Sequence, residues 1–168
     1  MKVSLIIAVY KDAEALRLIF KSLKNQTYDN FEVVVAEDGE SQVMADAIEF
    51  AKEEYGFEII HLTQEDIGVR KSLSQNNGIK ASSGEYLVFI DGDCLLYSTF
   101  IQNHVALSQK KSIVTGRRVN VGPRYSAQLR NEEITSEWLE RNFIRKYLDI
   151  KEDAKLERHS EEGFSISP

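Results

Sequence analysis

The stretch Tyr86-Leu87-Val88-Phe89-Ile90-Asp91-Gly92-Asp93 constrains this chain more than any other. It is a run of five apolar residues that ends in two carboxylates one glycine apart. Bounded by Gly84 and Gly92, such a run reads as a strand buried on both faces, of the kind found in the middle of a parallel sheet. Side chains at i and i+2 of an extended segment share a side, so Asp91 and Asp93 would sit roughly 7 Å apart at the Cα level and need a counter-ion. A divalent cation fits, since Mg²⁺-type sites use one or two carboxylates and complete their shell with substrate phosphates. A ligand-free hairpin turn at Asp91-Gly92 is the alternative. A calcium-binding EF-hand loop is excluded, because Leu95 falls on a ligand position and the following glycine is missing.

A length of 168 residues with 29% charged side chains suits one soluble globular domain. The net charge of -6 speaks against nucleic acid as a partner, since such binding works by neutralising phosphates. Cys94 is the single cysteine, so no disulfide can form within the chain. Val3 to Val9 is too short to span a bilayer, and Lys11-Asp12 rather than a cleavage site follows Tyr10. These features predict a cytoplasmic protein with no transmembrane segment, compatible with peripheral work at the inner membrane face.

Strand and helix patterns alternate along the first two thirds. Val3 to Val9 is a buried strand. Asp12 caps a helix from Ala13 to about Asn25, with Leu16, Ile19, Phe20 and Leu23 on one stripe. Phe31 to Ala36 is a second strand, followed by a helix from Ser41 to Gly56 and a short strand over Phe57 to Leu62. Val69 to Lys80 reads as a helix, Thr99 to Ser108 as another, and Ser112 to Gly116, extended through Val121, as a further strand. The pattern predicts an α/β fold with a mostly parallel sheet flanked by helices, joined by right-handed crossovers. Residues 1–122 form one domain in this reading. Residues 123–168 follow as a loop over Pro123 to Arg130, a helix over Glu132 to Leu148 carrying Ile134, Trp138, Leu139, Phe143, Ile144 and Tyr147, and a polar, mobile tail from Asp149.

Ligands of open α/β sheets bind beyond the carboxyl ends of the strands. Four polar clusters fall there: Tyr10-Lys11, Glu37-Asp38-Gly39, Gln64-Glu65-Asp66 and Asp91-Gly92-Asp93. Glu37 or Asp38 can accept hydrogen bonds from a base or from ribose hydroxyls, and Arg70 and Lys71 supply positive charge for a diphosphate.

Taken together, Ser4 to Tyr10, Val35-Ala36-Glu37-Asp38-Gly39, Gly68-Val69-Arg70-Lys71 with Asn77-Gly78, and Gly84 to Asp93 resemble the donor-binding half of the large inverting glycosyltransferase family 2, with its A-type, Rossmann-like fold. The resemblance covers roughly residues 1 to 122. It implies a nucleoside-diphosphate sugar as donor, most simply a UDP-sugar, and a carbohydrate or lipid-linked acceptor. It further implies that Ala8, Val9 and Tyr10 line the base pocket, that Asp38, Glu37 and Arg70 contact the base, that Asp91 reaches the ribose, and that Asp93 holds Mn²⁺ or Mg²⁺ on the diphosphate. A metal there offsets the charge that builds on the leaving group, and an inverting reaction also needs a general base.

The acceptor half of the family, with its acidic base motif, has no match in this chain. Glu132, Glu133, Glu161 and Glu162 read as solvated surface, which predicts a donor-binding fragment without its base. A non-catalytic nucleotide-sugar module is the alternative. A nucleotidyltransferase is disfavoured because Ala8 to Asp12 lacks the glycine-rich phosphate loop. His104 reads as a half-buried helix residue, His61 and His159 have no partner pattern, and Cys94 reads as a packing residue.

Overall fold

The computed structural model describes residues 1–156 and 164–167. Glu161, Glu162 and His159 therefore lie outside the described residues.

The elements run β1 (Val3–Val9), α1 (Ala13–Leu23), β2 (Phe31–Glu37), α2 (Gln42–Tyr55), β3 (Ile59–Leu62), α3 (Lys71–Ala81), β4 (Tyr86–Asp91), β5 (Cys94–Leu96), α4 (Phe100–Leu107), β6 (Val119–Val121), α5 (Pro123–Arg130), α6 (Ser136–Ala154) and β7 (Phe164–Ser167). The first four strands form a parallel sheet in the order β3-β2-β1-β4. Its register sets Val9 beside Glu37, and Ala8 beside both Ala36 and Asp91, so the carboxyl ends finish level.

Every residue of β1 is buried, as expected for an apolar strand between two neighbours. Alternate residues of β1 and β2 face opposite layers. Leu5, Ile7, Val33 and Val35 pack with Leu16, Ile19, Phe20 and Leu23 of α1 and with Met44, Ala47 and Ile48 of α2. Ile6, Val34 and Ala36 face α3. That helix can lie close because residue 78 is glycine: a Cβ there would come within 2.9 Å of the Ile6 Cγ2. Asp12 caps α1 as expected, accepting a hydrogen bond from the Ala15 N–H at 2.9 Å. Gly56 ends α2 in the left-handed conformation.

Four expectations need correction. The apolar run Tyr86 to Ile90 forms an edge strand, since β4 pairs with β1 alone among the described residues and Phe89 is 45% exposed. Residues 112–118 have no regular structure, and only Val119–Val121 is a strand, because Lys111 turns the chain at φ 62 and no strand edge meets Ser112 to Gly116. Pro123 to Arg130 is a helix, with the proline at its first turn, where a missing N–H costs nothing. The polar tail ends in a strand: β7 lies between β5, to which it is parallel, and β6, to which it is antiparallel. Phe164 and Ile166 are buried there in the same apolar cluster as β1, whereas Ile144 on α6 faces solvent. No helix of the described residues is long and apolar enough to cross a membrane.

At the amino ends of the strands the Glu32 side chain is fully buried. Ser4 Oγ and the Ser83 N–H donate to its Oε1 and Ser83 Oγ to its Oε2, each at 2.6 Å, while Lys2 Nζ pairs with Oε2 at 2.7 Å. Burial pushes the carboxyl up, but Lys2 and the donated hydrogen bonds outweigh it and hold it at about 2. A folded-state value below the unfolded one stabilises the fold above the unfolded value and loses that contribution as pH falls through the folded one. Glu32→Gln should therefore flatten the decline in unfolding free energy between about pH 4.5 and 2, by about 2 kcal/mol. Urea unfolding across that range, compared with wild type, measures it; parallel curves would contradict the assignment.

Candidate functional site

Beyond the carboxyl ends of β1, β2 and β4 lies a cavity of about 510 Å³. Ala8, Val9 and Tyr10 after β1, Asp38 after β2, and Asp91 and Asp93 at the end of β4 all line it. Six of the eight residues expected from the sequence to bind donor or metal thus line it, and Glu37 and Arg70 do not.

The chain leaves β1 through a tight turn in which the Asp12 N–H donates to the Tyr10 carbonyl at 2.8 Å and Lys11 takes φ 55. This left-handed, non-glycine conformation is a form of backbone strain that concentrates at functional sites. Tyr10 projects outward with its hydroxyl donating to Asp66 at 3.3 Å, and Lys11 lies over its ring while pairing with Asp66 at 2.8 Å. The Asp66 carboxyl is held below its ordinary value by the Lys11 hydrogen bond first of all.

Asp38 is 6% exposed and fixes the loop that follows β3. Its Oδ2 accepts from the Arg70 N–H and its Oδ1 from Gln64 Nε2, each at 2.6 Å. This places a carboxylate at the electropositive start of α3. Two buried atoms nearby, the acceptor Gln64 Oε1 and the donor Arg70 Nε, have no hydrogen-bond partner among the described residues.

Glu37 and Arg70 are the two expected residues that do not line this cavity. Glu37 is the last residue of β2, and Asp38 belongs to the bend that follows it. Glu37 is buried against His61 instead, 2.8 Å from Nε2. The Arg70 guanidinium bonds to the Glu65 carbonyl, so its backbone N–H, not its side chain, serves Asp38.

The two acids do not lie on one extended strand as expected. Asp91 ends β4, Gly92 and Asp93 form a turn, and β5 begins at Cys94. Gly92 passes so close to β1 that a Cβ would meet the Ala8 carbonyl and Val9 Cγ1 at 3.1 Å. The turn nevertheless brings both carboxylates to the same cavity. Asp91 is clamped: Lys71 bonds its Oδ1, and Arg118 donates to its Oδ2 at 3.0 Å. Burial pushes the Asp91 carboxyl up, but the contacts with Lys71 and Arg118 prevail and lower it.

Asp93 is anchored through its backbone, the Ser165 N–H donating to its carbonyl at 2.9 Å. Its carboxylate accepts from the Cys94 thiol at 3.4 Å and forms no salt bridge among the described residues, although Arg118 lies near enough to interact with it electrostatically. No group of three or more His, Cys, Asp and Glu side chains suited to a metal occurs among the described residues. A cation here would take one carboxylate and draw its other ligands from substrate and water, which the donor chemistry of Asp93 fits.

Cys94 is buried beside Ser165 Oγ, and burial pushes its thiol up, in keeping with a packing role. His104 packs edge-on against Phe100 and lies 3.4 Å from the Tyr86 hydroxyl, away from the acid cavity, with burial lowering its pKa. Sequence reasoning missed Arg118, Ser165 and Arg130, which pairs with Asp12 at 2.8 Å. The Arg117-Arg118 pair was the one available signal, and it reads equally well as solvated charge.

The family model described as Glycosyl transferase family 2 matches residues 4–164. EpsH of Bacillus subtilis (strain 168), a glycosyltransferase by name, is 39% identical over 92 residues, covering 54% of this chain and 26% of EpsH. Glycosyltransferase GlyA of Streptococcus pneumoniae serotype 4 is 32% identical over 127 residues, covering 74% of this chain and 17% of GlyA. The chain thus spans about a quarter or less of the length of these relatives. Among solved structures, the mannosyltransferase PcManGT from Pyrobaculum calidifontis in complex with GDP-Man and Mn²⁺ superposes with a TM-score of 0.58 at 18% identity, over 71% of this chain and 34% of that one. S. aureus TarS 1-349 in complex with UDP-GlcNAc gives 0.55 at 20% identity, over 69% of this chain and 38% of that one. These likenesses bear out the A-type fold.

Proposed function

The chain belongs to glycosyl transferase family 2, and from that premise we propose that residues 1–122 form a donor-binding domain for a nucleoside-diphosphate sugar, with the last third beginning an acceptor region. The cavity beyond β1, β2 and β4 takes the nucleotide, with Tyr10 against the base and Asp38 accepting from its N–H groups. The Gln64 Oε1, without a partner among the described residues and on the side chain that donates to Asp38, supports this assignment, since a buried polar atom without a partner calls for one. Uridine is the base we favour.

One observation carries the reading: Asp93 is a cavity carboxylate with no salt bridge among the described residues, beside an Asp91 whose two oxygens are both taken. Asp93 would hold Mn²⁺ or Mg²⁺, which when bound supplies Lewis-acid stabilisation of the charge that develops on the diphosphate. Asp91, with Lys71 and Arg118 on either side, orients toward the ribose and keeps the wall of the cavity fixed. Transfer proceeds with inversion to a hydroxyl of a carbohydrate or lipid-linked acceptor. The base that accepts the hydroxyl proton is supplied from outside the cavity described here.

A saturating UDP-sugar with Mn²⁺ should raise the melting temperature by about 5–10 °C, from roughly 2.7 kcal/mol of linkage at a hundredfold excess over Kd. The same sugar in EDTA should give a small fraction of that shift. Equal shifts in the two conditions would remove the metal, and no shift with UDP-, GDP- or other nucleotide sugars would remove the donor reading.

A further inference from the structure

We infer that Arg118 is a second diphosphate-binding cation, parked on Asp91 until donor arrives, an assignment that rests on the nucleotide-sugar reading above. Asp91 is the wall between two cavities, since its carboxylate borders both the nucleotide cavity and a second space of about 620 Å³ along the open edge of β4. Lys71 reaches it from the first side and Arg118 from the second.

Two cations on one carboxylate leave a positive charge over. Both are about half exposed, at 47% for Lys71 and 51% for Arg118, so neither is locked by packing. Their neighbours on the cavity rim are already matched: Lys11 holds Asp66, and Arg130 holds Asp12. The surplus therefore sits at Asp91, beside Asp93, which forms no salt bridge among the described residues but lies within electrostatic reach of Arg118. Together the four side chains are neutral, and a divalent cation on Asp93 would leave them with two positive charges, matching the two negative charges of a sugar diphosphate. A planar guanidinium can exchange a carboxylate oxygen for a phosphate oxygen with little change of geometry, which a lysine ammonium does less specifically. Residues 112–118, which carry Arg118, are free of regular structure, so the side chain is not tied to a strand register.

The test measures binding of UDP, inorganic pyrophosphate and uridine to the full chain by calorimetry, in Mn²⁺, for wild type, Arg118→Ala, Arg118→Lys and, as an exposed control, Arg117→Ala. Arg118→Ala should bind UDP and pyrophosphate about 10- to 100-fold more weakly and uridine within about twofold of wild type. Arg118→Lys should recover part of the loss, and Arg117→Ala none of it should show. If Arg118 served only to brace Asp91, uridine and UDP would weaken together, and that result overturns the assignment, as does unchanged UDP binding. If wild type binds neither UDP nor uridine, the nucleotide-sugar reading itself falls. Uridine binding that survives while pyrophosphate binding is the same in wild type and Arg118→Ala rejects this inference alone.

Discussion

Asp93→Asn is expected to abolish the Mn²⁺-dependent part of nucleotide-sugar binding and to leave the fold intact. Asparagine preserves the shape of the side chain and the anchoring of its backbone carbonyl by Ser165, so β5 and β7 keep their register. What disappears is an anionic oxygen pair on the cavity wall that forms no salt bridge among the described residues. Hard divalent ions bind carboxylates far better than amides, and with no cluster of three ligands among the described residues nothing nearby can substitute. The variant should therefore show the same small melting shift with UDP-sugar in Mn²⁺ as in EDTA, a loss of about 2 kcal/mol or more of linkage. A Mn²⁺-dependent shift as large as that of wild type would move the metal to another residue. Asp91→Asn provides the contrast. It should retain metal dependence, because its oxygens are engaged by Lys71 and Arg118.

Phe164→Ala should produce the largest loss of stability, about 3–5 kcal/mol, the usual cost of emptying a buried phenylalanine site. Phe164 is 2% exposed, opens the middle strand of the second sheet, and lies beneath the Arg130 guanidinium at 4.7 Å from ring centroid to Cζ. Truncation removes both the packing and the cation–π contact. The melting temperature should fall by about 10 °C, and nucleotide binding should weaken with it, since the next residue holds the Asp93 carbonyl. A fall under about 2 °C would mean that β7 lies outside the cooperative core.

The first sheet could be read in advance because each of its elements announces itself locally. Leu16, Ile19, Phe20 and Leu23 repeat at helical spacing, Asp12 caps the helix they belong to, and the strand-end rule gathers Tyr10, Asp38 and Asp91 at one rim. The position of β4 at an edge could not be read. An apolar run reports that a strand is largely buried, not which other strand lies beside it. Phe164-Ser165-Ile166-Ser167 is four residues in a polar context, and its burial comes from distant elements, the two strands it lies between and α5 above Phe164. Arg118 acquires its role from a fold that carries it back to a carboxylate 27 residues away.

The order of synthesis gives the second sheet a further meaning. A ribosome delivers β5 and β6 long before β7, yet β7 is the strand that joins them. Until residue 165 has emerged, the turn bearing Asp93 lacks its backbone tether, so under the proposed reading a nascent chain would form the strand ends that take the nucleotide well before the seat for a cation. Ligand capture and metal capture would then mature at different moments in the life of the same molecule.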